Sequence, residues 1–187
     1  DSNTPEGFSF TVVASDGALS SEQVTMTVAV TALNDAPVLT ATHLETSEDT
    51  PVDLDLATLT SDVDSESFTW TVEGAVGGEV LLLEDGQTAR FVPAPDQNND
   101  TLEGFSFVVI VGDGQDVSAP VTVTVSVTPV NDPPVMTVTA LETEEDSPID
   151  VDLSVATTDI DSDSLTWTIS EGVGGSIALL DDGQTAR

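Results

Sequence analysis

The stretch EGFSFVVIVGDG, Glu103 to Gly114, alternates apolar and polar side chains and ends in Gly-Asp-Gly. Period-two alternation rich in Phe and Val describes a strand with one buried face, and Asp-Gly describes a turn. The same stretch occurs earlier as EGFSFTVVASDG, Glu6 to Gly17. Each Glu is followed by the same strand-and-turn pattern, 97 positions apart (103 − 6).

The repetition runs along the whole chain. NDAPVLT at Asn34–Thr40 returns as NDPPVMT at Asn131–Thr137. EDTPVDLDL at Glu48–Leu56 returns as EDSPIDVDL at Glu145–Leu153. SDVDSESFTWTV at Ser61–Val72 returns as TDIDSDSLTWTI at Thr158–Ile169, and DGQTAR at Asp85–Arg90 returns at Asp182–Arg187. The offset never changes. A solenoid unit runs about 20 to 50 residues, whereas a small sandwich domain needs about 100. The chain therefore reads as a tandem array of domains.

VTMTVAVTAL, VTVTVSV and SFTWTV add further alternating strands, with SDG, GDG, EDG and DDG between strands. No segment carries helical periodicity; LDLATLT at Leu54–Thr60 is long enough for a single turn. Short, evenly spaced strands with Gly and Asp turns predict an all-β fold of Greek-key sandwiches. Prolines at Pro37 and at Pro133–Pro134 end long strands, because proline cannot continue a central ladder. We place the C-terminal strands of one repeat at 1–33, a full repeat at 34–130 and the N-terminal part of a third at 131–187. The chain begins mid-pattern and reads as a segment of something longer. The two outer pieces are complementary in content, which raises head-to-tail pairing between chains.

Composition excludes several functions. The formal net charge is −33, with 35 acidic residues against 2 basic ones. Phosphate recognition needs clusters of Lys and Arg, so nucleic acid is not a partner. An anionic membrane surface is excluded for the same reason, and no apolar run is long enough to span a bilayer. Apolar residues make up 39% and alternate with polar ones, so the high charge does not mean disorder. Cysteine is absent, so disulfides contribute nothing to stability. With no Cys, no Lys, one unrepeated His and no Gly-x-Ser-x-Gly, no catalytic arrangement is present. His43 becomes Ala140 in the next copy and reads as incidental. Trp70 and Trp167 lie mid-strand and read as core, while Arg90 and Arg187 read as partners of nearby acids.

The acids gather at strand ends. Asn34–Asp35 lies on the linker, Glu48–Asp49 precedes an extended segment, and Asp62-x-Asp64 precedes FTWTV. Asn98 and Asp100 lie in DQNND, and Asp113 in the turn after FVVIV. Oxygen-rich clusters on loops suit a hard cation, since Ca²⁺ takes six to eight oxygens. Solvated surface and simple Asp-Gly turns remain the alternatives. An EF-hand fails: Asp62, Asp64, Glu66 and Glu73 have the spacing, but Ser67 stands where the loop needs glycine.

This pattern resembles cadherin-type domains. It is most similar to the bacterial cadherin-like tandem repeats of large surface adhesins, including RTX-type ones. The resemblance implies Ca²⁺ at the joints between repeats. It implies one ligand set of Asn34, Asp35, Asp62, Asp64 and Asp113, with Asp1, Asn3 or Glu6 added from the preceding repeat. It implies a second of Glu48, Asn98, Asp100, Asn131, Asp132, Asp159 and Asp161. Ala32 and Pro129 stand where animal cadherins carry a linker acid, and the Leu-Asp-Arg-Glu motif is missing, which implies fewer ions per joint. The implied function is a calcium-stiffened stalk of a secreted adhesin, extracellular or at the cell surface, serving attachment or biofilm. Its partners would be calcium and neighbouring repeats. Cell-surface glycans and homophilic adhesion are the alternatives, and a 4% aromatic content without tyrosine weighs against glycans.

Overall fold

The computed structural model describes residues 7–137, 140–170 and 172–187. The chain divides into two compact units, Asp1–Pro129 and Val130–Arg187. The first unit opens with the hairpin β1 (Phe8–Val12) and β2 (Val24–Val28). Its full repeat follows as β3 (Val38–Leu39), β4 (His43–Ser47), β5 (Val52–Asp55), β6 (Thr60–Ser61), β7 (Thr69–Val76) and β8 (Gly78–Leu82), then β9 (Thr88–Pro93), β10 (Phe105–Gly112) and β11 (Val121–Thr128). The second unit holds short strands, β12 (Val135–Met136), β13 (Val151–Asp152), β14 (Thr157–Thr158) and β15 (Thr185–Ala186).

The full repeat is a two-sheet sandwich. One sheet has the order β4-β11-β10-β7 and the other β5-β9-β8, with β3 and β6 forming a short antiparallel pair. Every pairing is antiparallel except that of β4 with β11, which is parallel. The chain crosses between sheets after β4, between β5 and β7, after β7 and after β9, as an Ig-like Greek key requires. A single 3₁₀ turn, Leu56–Leu59, is the only helical element among the described residues. Asp55 caps it by accepting from the Ala57 N–H at 3.0 Å. Leu56 turns inward from it and is fully buried.

Alternation decides which side chains fill the core. In β10 and β9 every second residue is buried, which is the period-two signature of a half-buried strand. Phe91 from one sheet stacks on Phe107 from the other, with ring centroids 5.9 Å apart, and meets Phe105 edge-on at 6.4 Å. Val109, Val123, Val125 and Val127 close the same cluster. Trp70, half-buried, packs against it while its indole N–H donates to Thr60 Oγ1 at 2.9 Å. Trp167 makes the same bond to Thr157 Oγ1. Arg90 forms a two-pronged ion pair with Asp53 across β5 and β9, and Arg187 does the same with Asp150. His43 is not idle: its two ring nitrogens bridge the hydroxyls of Thr124 and Ser126 on the adjoining strand.

The hairpin β1–β2 has the register of β10–β11, with Phe8 opposite Val28 as Phe105 is opposite Val125. Its environment differs: Phe10 is 52% exposed, while its copy Phe107 is 0% exposed. The two copies of one motif therefore carry unequal energetic weight. Truncating a buried Phe costs about 3–5 kcal/mol, whereas exposed positions stay within about 0.5 kcal/mol. Phe107→Ala is expected to remove most of the stability of the full repeat, and Phe10→Ala to leave it unchanged. Urea unfolding of dilute protein, followed by circular dichroism, measures both.

Candidate metal centre

The β3–β6 pairing sets Val38 opposite Ser61, and so brings the linker Asn34–Pro37 beside the loop that starts at Asp62. The turn after β10 joins them. Asp62 Oδ1 accepts the backbone N–H groups of Asp64 and Ser65 at 2.7 and 2.9 Å, which folds its own loop. Asp64 Oδ2 accepts the Asp35 N–H at 2.7 Å, which ties loop to linker. The Asn34 amide donates to Asp113 Oδ2 at 2.8 Å and to Asp116 Oδ2 at 2.9 Å, which ties linker to turn. Gln115 Nε2 closes the ring by donating to Asn34 Oδ1 at 2.9 Å. Asn34, Asp35, Asp62, Asp64 and Asp113 thus form one connected chain at one end of the sandwich.

Two oxygens in this chain are buried without a hydrogen-bond donor, Asp62 Oδ2 and Asp64 Oδ1. A charged acceptor removed from water and left unpaired is costly by several kcal/mol unless something positive meets it. No basic side chain does so. The chain has only Arg90 and Arg187, and both are paired with aspartates elsewhere. Oxygen donors, excess negative charge and unmatched buried lone pairs are the donor chemistry of a Ca²⁺ site. These residues fit the ion.

The opposite end of the full repeat holds Glu48, Asn98 and Asp100. Glu48 is 2% exposed and accepts from the Asn98 amide at 3.0 Å. Asn98, itself 4% exposed, accepts the Asp100 N–H at 2.9 Å, while Asp100 is exposed at the rim of the loop. Solvated surface is therefore the wrong reading for Glu48. Asp49 and Asp96 stand in the same cluster, with the Asp96 N–H donating to Asp49 Oδ1 at 3.3 Å. Both adopt left-handed backbone, φ 57° and 56°, a conformation Asp tolerates better than most residues.

The second unit repeats the first linkage. The Asn131 amide donates to the Asp132 carbonyl, the Asp132 N–H to Asp161 Oδ2 at 2.6 Å, and the Asp161 and Ser162 N–H groups to Asp159 Oδ1. Asp1, Asn3 and Glu6 lie outside the described residues. Sequence reasoning missed Asp116 and Gln115; the signal was a second acid in GDGQD, three residues past Asp113. It also passed over Asp49 as a partner of Asp96.

The Asp113 carboxyl is held below the usual carboxylate range, chiefly by the Asp116 N–H, then by the Asn34 amide and the Gln115 N–H. Its pKa is depressed by folding, so its stabilisation is complete above the unfolded range near pH ~4. It is lost as pH falls through the lower folded value. In chelator, stability is expected to drop below that range, and Asp113→Asn to flatten the drop. Denaturant midpoints measured at successive pH values check this.

A family model described as bacterial Ig domain matches residues 34–126 and 131–186. Among curated proteins none matches the sequence. Among solved structures, protocadherin gamma C5 EC1-3 aligns at 19% identity over 96% of this chain and 65% of its own, with a TM-score of 0.48. Human mucin-like protocadherin EC1-2 aligns at 19% identity over 65% of this chain and 68% of its own, TM-score 0.42. An endo-fucoidan hydrolase of glycoside hydrolase family 107 aligns at 16% identity over 98% of this chain but 29% of its own, TM-score 0.40. Among the described residues no helix is long and apolar enough to cross a membrane. The full repeat's two-sheet topology and the span of the family match agree: the chain belongs to the bacterial Ig domain family.

Proposed function

We infer that the chain is a calcium-stiffened stalk segment of a large secreted bacterial adhesin, exposed at the cell surface and serving attachment or biofilm formation. Residues 1–33, 34–130 and 131–187 belong to successive repeats, and their task is to hold a distal binding domain away from the cell. The segment performs no chemistry of its own.

The observation that carries this reading is the pair of unmatched buried oxygens on Asp62 and Asp64. Without a cation, the carboxylates of Asp35, Asp62, Asp64, Asp113 and Asp116 repel one another, which works against the hydrogen bonds that tie the linker to the loop and the turn. A divalent ion converts that repulsion into attraction, and fixes Asn34–Asp35 against the Asp62 loop and the Asp113 turn. The linker then loses its freedom, and the repeat it carries is constrained with it. The same residue types recur at Asn131, Asp132, Asp159 and Asp161, so the same role extends to them.

The magnitudes suit a hinge. Extracellular calcium modules bind with Kd of about 10⁻⁴ to 10⁻³ M. At free calcium ten times Kd, one site adds about 1.4 kcal/mol. This is small beside the stability of a folded domain but sufficient to order a linker.

Calcium titration of the chain by calorimetry, paired with small-angle scattering, tests the reading. Saturable binding with a stiffer scattering profile is expected. The double substitution Asp62→Asn, Asp64→Asn is expected to remove the binding at that site and leave the thermal midpoint in chelator unchanged or raised. No binding at millimolar calcium, with an unaltered profile, would leave a metal-free spacer.

A further inference from the structure

Two turns of this chain fold alike and carry different side chains. After β10, Asp113 Oδ1 accepts the N–H groups of Gln115 and Asp116, both at 2.7 Å, and the Asp113 N–H donates to the Asp116 carbonyl at 3.2 Å. After β1, Asp16 Oδ1 accepts those of Ala18 and Leu19, both at 2.8 Å, and the Asp16 N–H donates to the Leu19 carbonyl at 3.2 Å. Ala18 and Leu19 are the copies of Gln115 and Asp116, 97 positions earlier (115 − 18). The aspartate and the backbone make the turn. The side chains of Gln115 and Asp116 are therefore not needed to fold it.

Both side chains reach the linker instead. Gln115 Nε2 donates to Asn34 Oδ1 at 2.9 Å, and Asp116 Oδ2 accepts from Asn34 Nδ2 at 2.9 Å. Asn34 Nδ2 also donates to Asp113 Oδ2 at 2.8 Å and to the Asp35 carbonyl at 3.0 Å. An amide nitrogen carries two protons, and this one stands among three oxygens, two of them carboxylate. That is the kind of position a cation takes. The partners fix the orientation of the amide. Turned over, it would set its oxygen against two carboxylates and its NH2 against the NH2 of Gln115. The bond from the asparagine amide to the next carbonyl recurs at Asn131 and Asp132, so it belongs to the linker itself. The grip on the turn comes from Asp113, Gln115 and Asp116.

We propose that the Asn34 amide is an ion-independent latch rather than a calcium ligand, and that Gln115 and Asp116 are the residues that position it. The linker is then fastened twice. The amide holds it to the turn after β10, through hydrogen bonds strengthened by the carboxylate charge. Calcium holds it to the loop of Asp62 and Asp64. The second fastening rests on the stalk reading and the first does not. Removing calcium slackens such a joint without freeing it. Because Ala18 and Leu19 replace the positioning pair in the other turn, the latch is a property of this repeat and not of the fold.

Side-chain amide exchange with water, followed by NMR of isotope-labelled chain in chelator, tests it. The Asn34 NH2 is expected to exchange more than about tenfold more slowly than that of Gln23, an exposed side chain between β1 and β2. Gln115→Ala with Asp116→Leu writes one natural turn into the other. It is expected to bring the two rates together, while the backbone N–H groups at positions 115 and 116 stay protected by Asp113. On calcium saturation of the unsubstituted chain, protection of the Asn34 NH2 is expected to persist. Its loss would show Asn34 Oδ1 turning to the ion and would overturn the proposal. Fast exchange in chelator would overturn it too, as would slow exchange that the double variant retains. An absence of calcium binding counts against the stalk reading, and the measurement in chelator still decides the latch.

Discussion

With two basic residues against 35 acidic ones, this fold has to place its carboxylates without ion-pair partners. Most of the local structure follows from how it does so. Both arginines are spent on equivalent aspartates, Asp53 and Asp150, one pair per repeat. Many of the other aspartates serve as acceptors for backbone N–H groups. Asp16, Asp62, Asp85 and Asp113 each fold a turn by accepting from residues two and three positions ahead. A carboxylate held by backbone donors stays ionised readily, so the Leu19 and Ala18 N–H groups lower the Asp16 pKa and the Asp116 N–H chiefly lowers that of Asp113, while Asp85 is lowered first by the Thr88 hydroxyl and then by backbone donors. Acid-rich turns are thus a structural device first, and each fixes where its second oxygen points.

The candidate centre arises where that device is incomplete. Asp85 satisfies both oxygens, because Thr88 Oγ1 donates to Oδ2. Asp62 satisfies one and buries the other, and Asp64 does the same. The difference lies in the surroundings. Asp85 stands on an exposed hairpin, while Asp62 and Asp64 are pressed against a linker by the β3–β6 pairing. A position at a domain edge, shared by linker, loop and turn, is where an ion has mechanical consequences.

Local signals made the fold legible. Period-two alternation marked β10 and β11, Asp-Gly marked the turns, and an unvarying 97-residue offset marked the array. What escaped the sequence was long-range. The parallel pairing of β4 with β11 joins residues about eighty positions apart, and no turn signal announces it. That pairing seats His43 between Thr124 and Ser126. It also carries the chain to Glu48, where Asn98, fifty positions away, buries the carboxylate. In the sequence Glu48 looks like any exposed acid. Within the candidate centre, spacing pointed to Asp62 and Asp64 and the family resemblance to Asp113, but Asp116 belongs to it only because Asn34 reaches both ends of one turn.

The central claim is that a cation belongs between Asp62 and Asp64. The measurement that meets it most directly is a calcium titration followed by amide resonances of isotope-labelled protein. The account predicts saturable shifts concentrated at Asp35, Asp64 and Ser65, whose N–H groups rest on the two carboxylates, with one apparent Kd. Small, unsaturated shifts spread evenly over the acidic surface would contradict it.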